Sequence, residues 1–320
     1  MNDGFSSFII IGAGQLGSRH AQALSKLNPN KITIVDPSID SIRLAKIRLA
    51  EVGFSGILQT KASLKDVDEV YELAVISTAS RERLESLKQL MKSTAVANIL
   101  LEKLLTLSTD ELDEFQEIKA SATCNFWVNL PMPYFKHYKS IHHDFSQSGD
   151  GPLRYSVSAS NLGLVTNFIH YLDHFHYLIG RKKITTSHEG LLNLIPSKRQ
   201  GYMELLGTLT AKSMQGDFLE VTFSDAKAEP SLEIEIQKGS TYFSVDEINS
   251  LLEIHGKDGT RLSRKLRTPL QSELTHHSLE KIRLGLPPDW AEFDTSLYLH
   301  RLLSNELSLE FGPTRLAEFT

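Results

Sequence analysis

A glycine-rich stretch near the beginning of the chain constrains the fold more than any other feature. The stretch Gly12-Ala13-Gly14-Gln15-Leu16-Gly17 has the spacing G-x-G-x-x-G. It follows the apolar run 8–11, which is typical of a buried strand, and it precedes apolar residues at helical spacing. In such a unit the first glycine permits a tight turn, the second lets backbone amides approach a pyrophosphate, and the third allows helix and strand to pack closely. The six residues therefore predict a dinucleotide-binding turn; three glycines in an ordinary tight turn are the alternative.

Asp36 distinguishes between the two nicotinamide cofactors. It stands at the end of the next apolar run, 31–35. A carboxylate at this place accepts hydrogen bonds from ribose hydroxyls but repels a 2′-phosphate. The next residues, Pro37, Ser38 and Ile39, bring no positive charge that could hold such a phosphate. NAD is therefore expected rather than NADP, unless Asp36 merely ends a strand.

Short apolar runs alternate with amphipathic stretches through the first part of the chain. This alternation predicts a parallel sheet covered by helices on both faces, because parallel strands need crossover connections. We therefore expect an α/β, doubly wound Rossmann domain over residues 1–123, to which the glycine turn belongs. The predicted strands are 8–11, 31–35, 57–59, 73–77, 96–101 and 126–129, and the predicted helices are 14–27, 39–52, 81–91 and 109–120.

The pattern changes after Asn129. Runs of alternating character follow, and two of them are separated by a Lys-Gly-Ser hairpin signal. We expect a C-terminal α+β domain over residues 124–320, built on a large, mainly antiparallel open sheet with one helix laid across it. The predicted strands are 154–159, 202–211, 218–223, 232–237 and 241–245, and the predicted helices are 162–179, 271–284 and 290–307.

Charge and cysteine content exclude several classes of protein. Lys and Arg number 34 against 39 Asp and Glu, giving a net charge of −5, so a nucleic-acid partner is not expected. Cys124 is the single cysteine and cannot form an internal disulfide, which favours a reducing compartment. No apolar run approaches the roughly 20 residues that span a bilayer, and residues 1–7 contain no positive charge, so neither a membrane segment nor a signal peptide is expected. These features predict a cytoplasmic protein.

Polar residues follow two of the predicted parallel strands. Ser77, Thr78 and Ser80 lie at the carboxyl end of the predicted strand 73–77, after its apolar part 73–76, on the edge of the sheet where ligands bind in such folds. Glu102 and Lys103 directly follow the strand 96–101, at the same edge of the sheet. Partial desolvation at this place would lower the pKa of Lys103 towards a value useful for proton transfer. Alternatively, Lys103 points to solvent and pairs with Glu102.

The densest ionisable cluster lies on the predicted helix 162–179 and contains His170, Asp173, His174 and His176. One histidine could be a general acid or base oriented by Asp173. His170 and His174, four residues apart, could bind a metal, although H-E-x-x-H is absent and no third ligand is nearby. The cluster could also be structural. The run 142–144, His-His-Asp, is a second candidate for metal binding, but a solvated helix end is the favoured interpretation.

Together these motifs resemble the glucose-fructose oxidoreductase, inositol dehydrogenase and MocA (Gfo/Idh/MocA) family. Its first signature extends from the glycine turn to a histidine, here His20, and its second, Glu-Lys-Pro, is matched by Glu102-Lys103-Leu104. Its third is an Asp-x-x-x-His pair followed by x-x-Asp, matched by Thr166, His170 and Asp173. Trp127-Val-Asn129 resembles the valine-asparagine element after the last Rossmann strand.

The resemblance implies a dehydrogenase acting on a sugar, polyol or sugar-nucleotide derivative with NAD. It implies that Lys103 is catalytic and that His170 and Asp173 assist it. It further implies that Glu102 and Lys103 contribute to cofactor binding. The residues expected to contact the substrate are Lys103, Asn129, Tyr134, Asn161, Thr166 and His170.

Departures from the family pattern affect this expectation. Leu104 replaces proline, which we expect to loosen the turn after the lysine. Thr166 replaces the aspartate that pairs with the histidine, so His170 has less support for a charged form. Arg83 replaces a histidine that is common in the helix after the fourth strand.

Two further functions remain open at this stage. One is a dinucleotide-sensing regulator that has lost the chemistry, which the missing aspartate favours and Lys103 disfavours. The other is a metal-dependent lyase or hydrolase that uses His170 and His174, although no metal is expected. The C-terminal sheet, covered on one face, predicts self-association into a homodimer or homotetramer.

Overall fold

The computed structural model describes residues 6–67, 69–147, 151–225, 231–256 and 259–319. The chain forms two compact units. The first unit comprises Met1–Pro131 together with Pro269–Leu297. The second unit comprises Met132–Thr268 together with Tyr298–Thr320.

Strands and helices alternate along the chain through β6, and strands predominate in the second unit. The strands are β1 Ser7–Ile11, β2 Lys31–Val35, β3 Ile57–Lys61, β4 Val70–Ile76, β5 Ala95–Leu101, β6 Asn125–Val128, β7 Leu153–Ser160, β8 Ile184–Pro196, β9 Met203–Ser213, β10 Phe218–Ser224, β11 Leu232–Lys238, β12 Thr241–Asp246, β13 Leu251–His255, β14 Arg261–Lys265 and β15 Ala291–Glu292. The helices are α1 Gln15–Ser25, α2 Ile39–Glu51, α3 Ser80–Ser93, α4 Thr109–Ser121, α5 Lys136–Gln147, α6 Leu164–Leu178, α7 Thr275–Arg283 and α8 Phe293–Phe311.

The first unit is built on a seven-stranded sheet with the order β15-β6-β5-β4-β1-β2-β3. All neighbours are parallel except β15, which is antiparallel to β6. Phe8 and Ile10 of β1 are fully buried in one core cluster with Ile34 of β2 and Leu100 of β5. Strand β1 pairs with β2 on one side and β4 on the other, so chain order reverses there and the carboxyl ends of the strands open a crevice. The predicted doubly wound parallel sheet is confirmed.

The second unit is built on an eight-stranded sheet with the order β14-β13-β12-β11-β7-β10-β9-β8. The pair β7–β10 is parallel and the other pairs are antiparallel. Helix α6 packs on β9 and β10, and its buried residues include Leu164, Phe168, Leu172 and Phe175. Their spacing of four, four and three residues gives the helix one continuous apolar face. The predicted mainly antiparallel sheet crossed by a helix is confirmed.

The compact units divide the chain differently from the predicted domains 1–123 and 124–320. Strand β6 pairs with β5 in the first sheet, so the first unit extends to Pro131. After the second sheet the chain returns, and Pro269–Leu297 adds α7 and β15 to the first unit. The reason is apolar burial: Leu279 and Trp290 are at most 1% exposed and belong to the first core. The sequence pattern changes after Asn129, close to Pro131, whereas the sequence analysis found no signal for the return at Pro269.

The sequence analysis missed four strands, β8, β13, β14 and β15, and the starts of two helices. Strand β15, Ala291–Glu292, occupies the beginning of the predicted helix 290–307, and α8 starts only at Phe293. Strand β8 contains Gly190 at φ 67° and a register shift between Glu189 and Asn193, and these irregularities interrupt the alternation that reveals a strand. The sequence analysis also missed β13 and β14, the outer strands of the sheet; every residue of β14 is exposed, so it has no buried apolar face. The predicted helix 271–284 is a short 3₁₀ turn, Gln271–Glu273, followed by α7.

Within the residues that the structure describes, no helix combines the length and apolar character needed to cross a bilayer.

Candidate active site

The glycine turn, residues 12–17, connects β1 to α1. Gly12 has φ 84°, and a Cβ there would lie 2.8 Å from the backbone nitrogen of Thr78. A Cβ on Gly17 would overlap the carbonyl oxygen of Gly12 and lie 2.5 Å from Ser77 Oγ. A Cβ on Gly14 would meet nothing within 4 Å. The outer glycines are therefore required by the protein's own packing, whereas Gly14 faces open space that a ligand can fill.

Asp36 is tied to the glycine turn. The Ala13 N–H donates to its Oδ2 at 2.7 Å, and the Ser38 N–H donates to its Oδ1 at 2.8 Å. Its side chain is largely buried, with the residue 9% exposed. A carboxylate oxygen can accept more than one hydrogen bond, so each oxygen keeps capacity for a ribose hydroxyl. Asp36 thus braces the turn in addition to standing where the sequence predicted it.

Arg48 of α2 reinforces the beginning of α1. Its guanidinium donates to the Gln15 carbonyl at 2.7 Å, to Ser18 Oγ at 2.6 Å and to Gln15 Oε1 at 2.5 Å. Burial and the nearby charge of Arg19 lower the pKa of Arg48. Sequence analysis missed this residue because nothing in the α2 pattern distinguishes it from a solvated arginine.

The residues around the glycine turn suit a dinucleotide. No side chain among the described residues caps the N-terminus of α1 at Gly14, and Gln15 and Leu16 at its beginning are exposed. An uncapped helix start offers N–H groups and partial positive charge to phosphates. The Thr78 hydroxyl beside the turn is buried and bonds to nothing in the described part of the chain. An orphaned donor beside an open cradle is consistent with a bound polar group.

Ser77 and Ser80, which follow β4, belong to different parts of the site. Ser77 Oγ donates to the Gly12 carbonyl at 2.5 Å, so this side chain holds the turn. Ser80 is the first residue of α3 and is buried. The carbonyl of Thr78 accepts a hydrogen bond from Arg83, whose side chain is also buried.

Glu102 and Asn129 meet at the carboxyl ends of β5 and β6. Glu102 is 2% exposed, and its Oε1 accepts from Asn129 Nδ2 at 2.6 Å and lies 2.7 Å from His20 Nε2. Lys103, the next residue, is half-buried, and Leu104 is buried. The peptide bond between Lys103 and Leu104 is cis.

Gln271 and Thr275 close these contacts into a buried ring. His20 Nδ1 lies 2.7 Å from Thr275 Oγ1, Gln271 Nε2 donates to Thr275 Oγ1 at 3.1 Å, and Asn129 Nδ2 also donates to Gln271 Oε1 at 2.9 Å. Every bond has one donor when His20 carries its proton on Nε2. Hereafter "the buried ring" means His20, Glu102, Asn129, Gln271 and Thr275.

The buried ring keeps Glu102 ionised. Burial alone would raise the pKa of this carboxyl, but the hydrogen bonds from His20 and Asn129 and the charge of Arg83 outweigh it, so the pKa is lowered. Asn129, predicted to contact substrate, lies 4% exposed with its amide nitrogen used twice inside the ring. Arg83, from which the sequence allowed no conclusion, contributes to this electrostatic balance.

The predicted residues of the second unit gather at the beginning of α6. Thr166 and Asn161 line a pocket of about 380 Å³, hereafter the α6 pocket. Asn161 has φ 60° and follows β7. His170 is half-buried and lies one helical turn after Thr166. The other lining residues are Leu162, Gly163, Asn167, Ile195, Pro196, Ser197, Lys198, Glu204, Leu206, Ser224 and Asp225.

Glu204 of β9 is a functional candidate that sequence analysis missed. It is 4% exposed, and its Oε2 accepts from the N–H groups of Val165 at 3.0 Å and Leu205 at 3.2 Å. Its Oε1 accepts from the N–H of Thr166 at 3.2 Å and from the Thr166 hydroxyl. A Cβ on Gly163 would lie 2.5 Å from Glu204 Cγ, so only glycine there admits the carboxylate. The packing of α6 on β9 brings this distant residue to the helix, and no local sequence motif predicts the contact.

Three of the clustered side chains on α6 are buried. Burial raises the pKa of Asp173 to about 7, although the charge of Arg181 opposes the shift. His174 is fully buried, its Nδ1 lies 3.0 Å from the Tyr155 hydroxyl, and burial lowers its pKa to about 3. His176 is 5% exposed. Of this cluster, only His170 is partly exposed.

The remaining candidates lie elsewhere in the second unit. Tyr134 ends a 3₁₀ turn, with its ring 6.1 Å from that of Tyr177, and it does not line the α6 pocket. The centres of the His142 and Tyr177 rings are 4.6 Å apart. Across the described ranges, no three His, Cys, Asp or Glu side chains are grouped so that they could hold a metal ion.

Comparison with known proteins gives structural matches only. No protein-family model matches the sequence, and no curated protein matches it by sequence. The UDP-N-acetylglucosamine 3-dehydrogenase GnnA from Acidithiobacillus ferrooxidans is 17% identical, with a TM-score of 0.69 over 97% of this chain and 98% of that chain. An oxidoreductase from Agrobacterium radiobacter, in complex with NAD⁺, L-tartaric acid and magnesium, is 13% identical, with a TM-score of 0.72 over 95% and 96%.

A third structural match was solved with NADP⁺ rather than NAD⁺. Biliverdin reductase from Synechocystis, in complex with biliverdin and NADP⁺, is 12% identical, with a TM-score of 0.72 over 94% of this chain and 98% of that chain. At such identities the likeness establishes the fold. The chain therefore has the fold of Gfo/Idh/MocA-type oxidoreductases, as its motifs predicted.

Proposed function

We propose that the chain is an NAD(P)-dependent oxidoreductase acting on a hydroxyl-bearing carbon of a sugar, polyol or sugar-nucleotide derivative. The observation that carries this proposal is the glycine turn, where Gly14 faces open space at an uncapped helix N-terminus. This arrangement suits a pyrophosphate, which needs close backbone approach and N–H donors. The Acidithiobacillus relative, a dehydrogenase of a nucleotide sugar, supports the substrate class.

NAD is the proposed cofactor. The Asp36 carboxylate lies beside the turn and would meet a 2′-phosphate with like charge. Relatives with this fold have been solved with NAD⁺ and with NADP⁺, so the preference depends on Asp36 itself. When bound, the nicotinamide accepts or supplies the hydride.

Lys103 and His170 are the proposed proton-handling residues. In the oxidative direction Lys103 takes the proton of the reacting hydroxyl, and His170 assists by holding or relaying that proton. The buried ring fixes Glu102 and therefore the backbone from which Lys103 extends. Asp173 is less suited to direct contact with substrate because its side chain lies in the interior, with the residue 6% exposed.

The substrate contacts and the cellular setting complete the proposal. Asn161 and Thr166 line the α6 pocket and can bond to hydroxyl groups, and Tyr134 remains a proposed contact. The domain roles follow: the first unit binds cofactor, and the second binds substrate and mediates self-association into a dimer or tetramer. A single cysteine agrees with a reducing, cytoplasmic setting.

Calorimetric titration of NAD⁺, NADH and NADP⁺ tests the cofactor site. We expect heat with NAD⁺ and NADH, and about tenfold weaker binding of NAD⁺ to Asp36→Ala, since that variant loses hydrogen bonds to ribose. Asp40→Ala, at an exposed position on α2, is the matched control and binds as the wild type does. No heat with any of the dinucleotides would overturn the proposal.

An activity screen tests the chemistry. The change in NADH absorbance is followed when sugars, polyols, uronates and nucleotide sugars are offered as substrates with NAD⁺ or NADH. Lys103→Ala is expected to lose turnover while it keeps its affinity for cofactor. A dinucleotide-sensing regulator is the second candidate, because Thr166 stands where the family has an aspartate. Tight cofactor binding without turnover of any substrate in the panel would favour the regulator.

A further inference from the structure

The buried ring joins the segment Pro269–Leu297 to the residue that precedes Lys103. The backbone N–H of Glu102 donates to the Ile76 carbonyl at 3.0 Å, just beyond the end of β5. Lys103 follows directly, and consecutive Cα atoms lie only about 3.8 Å apart across a trans peptide. The position of the lysine backbone therefore depends on how firmly Glu102 is held.

Two donors hold the Glu102 side chain by the same oxygen. His20 Nε2 lies 2.7 Å from Oε1, and Asn129 Nδ2 donates to Oε1 at 2.6 Å. A carboxylate oxygen offers two lone pairs, so both acceptor positions of Oε1 are used. Glu102 is 2% exposed, so little water can replace either donor. The carboxylate thus keeps one orientation as long as His20 presents an N–H to it.

The ionised carboxylate sets the direction of the other amides in the buried ring. Because it can only accept, Asn129 must present Nδ2 to it rather than Oδ1. The second hydrogen of Asn129 Nδ2 goes to Gln271 Oε1 at 2.9 Å. Gln271 therefore presents Nε2 to Thr275 Oγ1, at 3.1 Å. The Thr275 oxygen accepts this bond, which leaves its own proton available for another acceptor.

Thr275 decides which nitrogen of His20 carries the proton. Its Oγ1 lies 2.7 Å from His20 Nδ1. Gln271 Nε2 also lies 3.4 Å from Nδ1, so both polar neighbours of this nitrogen are donors. Nδ1 is therefore the acceptor of the imidazole, and the N–H on Nε2 points at Glu102.

We propose that Thr275 and His20 are positioning residues for Lys103 and act through the carboxylate of Glu102. Without the Thr275 hydroxyl, the proton of His20 is free to move to Nδ1, and a bare Nε2 then faces the lone pairs of the carboxylate. Glu102 turns away from that contact and displaces the backbone of Lys103. A misplacement of about 1 Å can cost about 100-fold in rate, so the ring affects turnover as well as stability. This inference rests on the proposed function for the role of Lys103 in proton handling.

Gln271 is the competing donor to the imidazole. At 3.4 Å from His20 Nδ1 its Nε2 is at the long end of the range for a hydrogen bond, and it is already bonded to Thr275. The bond from Asn129 to its Oε1 restrains the amide at the other end. Gln271 therefore replaces the Thr275 hydroxyl only in part, and we expect loss of the hydroxyl to be felt.

Kinetics of three variants give the first test. Thr275→Val removes the hydroxyl at nearly constant shape, and Thr275→Ser keeps it. Tyr71→Phe is the matched control, because it removes a buried hydroxyl bonded to Thr33 Oγ1 at 3.0 Å near the amino end of β4 in the same unit. We expect kcat to fall about tenfold in Thr275→Val, with KM for NAD⁺ unchanged, and to keep its wild-type value in the other two. Wild-type kcat in Thr275→Val would overturn the proposal, and so would an equal fall in Tyr71→Phe.

A second test observes Lys103 without requiring turnover. Lysines are reductively dimethylated with ¹³C-formaldehyde, and the NMR signal of Lys103 is assigned by its loss in Lys103→Arg. We expect this signal to shift in Thr275→Val and to keep its position in Thr275→Ser and Tyr71→Phe. An unchanged Lys103 signal in Thr275→Val would overturn the inference even if kcat falls. If the wild type turns over no substrate but the signal shifts as expected, the proposed function fails and the positioning role stands.

Gln271→Met takes the place of Thr275→Val in both tests if the valine variant does not fold. Gln271 is half-buried, donates to the Thr275 hydroxyl and accepts from Asn129, so its replacement opens the ring at a less buried point. We expect kcat to fall and the Lys103 signal to shift, as in Thr275→Val. Wild-type kcat together with an unchanged Lys103 signal in Gln271→Met would overturn the proposal.

Discussion

Gly14 and Gly17 belong to one motif but have different surroundings. A Cβ on Gly17 would overlap the Gly12 carbonyl oxygen, which is backbone and cannot move away, whereas a Cβ on Gly14 would stand in open space. Gly14 also has φ −61°, which any residue adopts. The two positions therefore separate what the fold needs from what a ligand needs.

Substitution of each glycine tests this separation. We expect Gly17→Ala to lower the free energy of unfolding by about 3 kcal/mol, because of overpacking against backbone. Gly14→Ala is expected to unfold like the wild type but to bind NADH more weakly, because its methyl group occupies the approach to the pyrophosphate. Urea unfolding and calorimetry measure the two effects. Equal stability of Gly17→Ala and the wild type would contradict the packing argument.

Asp173 makes stability depend on pH in a defined direction. Its pKa is about 7 in the folded protein against an ordinary value of 3.8. The folded state therefore binds more protons than the unfolded state between these values, and stability falls as pH rises from about 4 to 7. The whole effect is at most about 4 kcal/mol.

Asp173→Asn removes this dependence. We expect the variant to melt at a higher temperature than the wild type at pH 8 and to lose most of that advantage at pH 5, where the wild-type carboxyl is protonated. Asp225→Asn, an exposed position in the same unit, is the control and melts at the wild-type temperature at both pH 8 and pH 5. An advantage of the same size at both pH values would show that Asp173 is not the titrating group.

Elements of the first unit were predictable where local pattern determines them. The run 8–11, the glycine turn and the run 31–35 form a strand–turn–helix–strand unit in which each residue type has a local reason. The sequence also placed Glu102 and Asn129 at ends of adjacent strands. It did not reveal that Asn129 bonds to Gln271, because that contact spans 142 residues and depends on how the chain returns. Glu204 was missed for the same reason, since β9 places it at α6.

The buried ring contributes to stability as a set. All its members except Gln271 are at most 4% exposed, so removal of one hydroxyl leaves a buried polar group without its partner. We expect Thr275→Val to cost about 1–3 kcal/mol of unfolding free energy, and Thr275→Ser to cost much less. Denaturant unfolding of the two variants provides the measurement. A Thr275→Val protein as stable as the serine variant would show that the ring adds nothing to stability.

The path of the chain links its two compact units. The chain leaves the first unit at Pro131 and returns to it at Pro269, and the returning segment carries members of the first core. Large apolar side chains in a core each contribute about 3–5 kcal/mol, while a whole domain is stable by only about 5–15 kcal/mol. Leu279 and Trp290 together therefore account for a large part of what holds the first unit folded.

Residues 1–131 alone should accordingly be largely unfolded, although they contain the whole glycine turn, Asp36 and Lys103. We expect a single chain in which residues 1–131 are joined to 269–297 by a flexible linker to melt cooperatively and to bind NADH. Circular dichroism melting and calorimetry compare the two proteins. Trp290→Ala in the joined protein is the matched variant and should return it towards the behaviour of residues 1–131. Cooperative melting and NADH binding by residues 1–131 alone would mean that the returning segment is an addition to an already complete fold, and the sequence boundary near residue 123 would then be the better description of the nucleotide-binding domain.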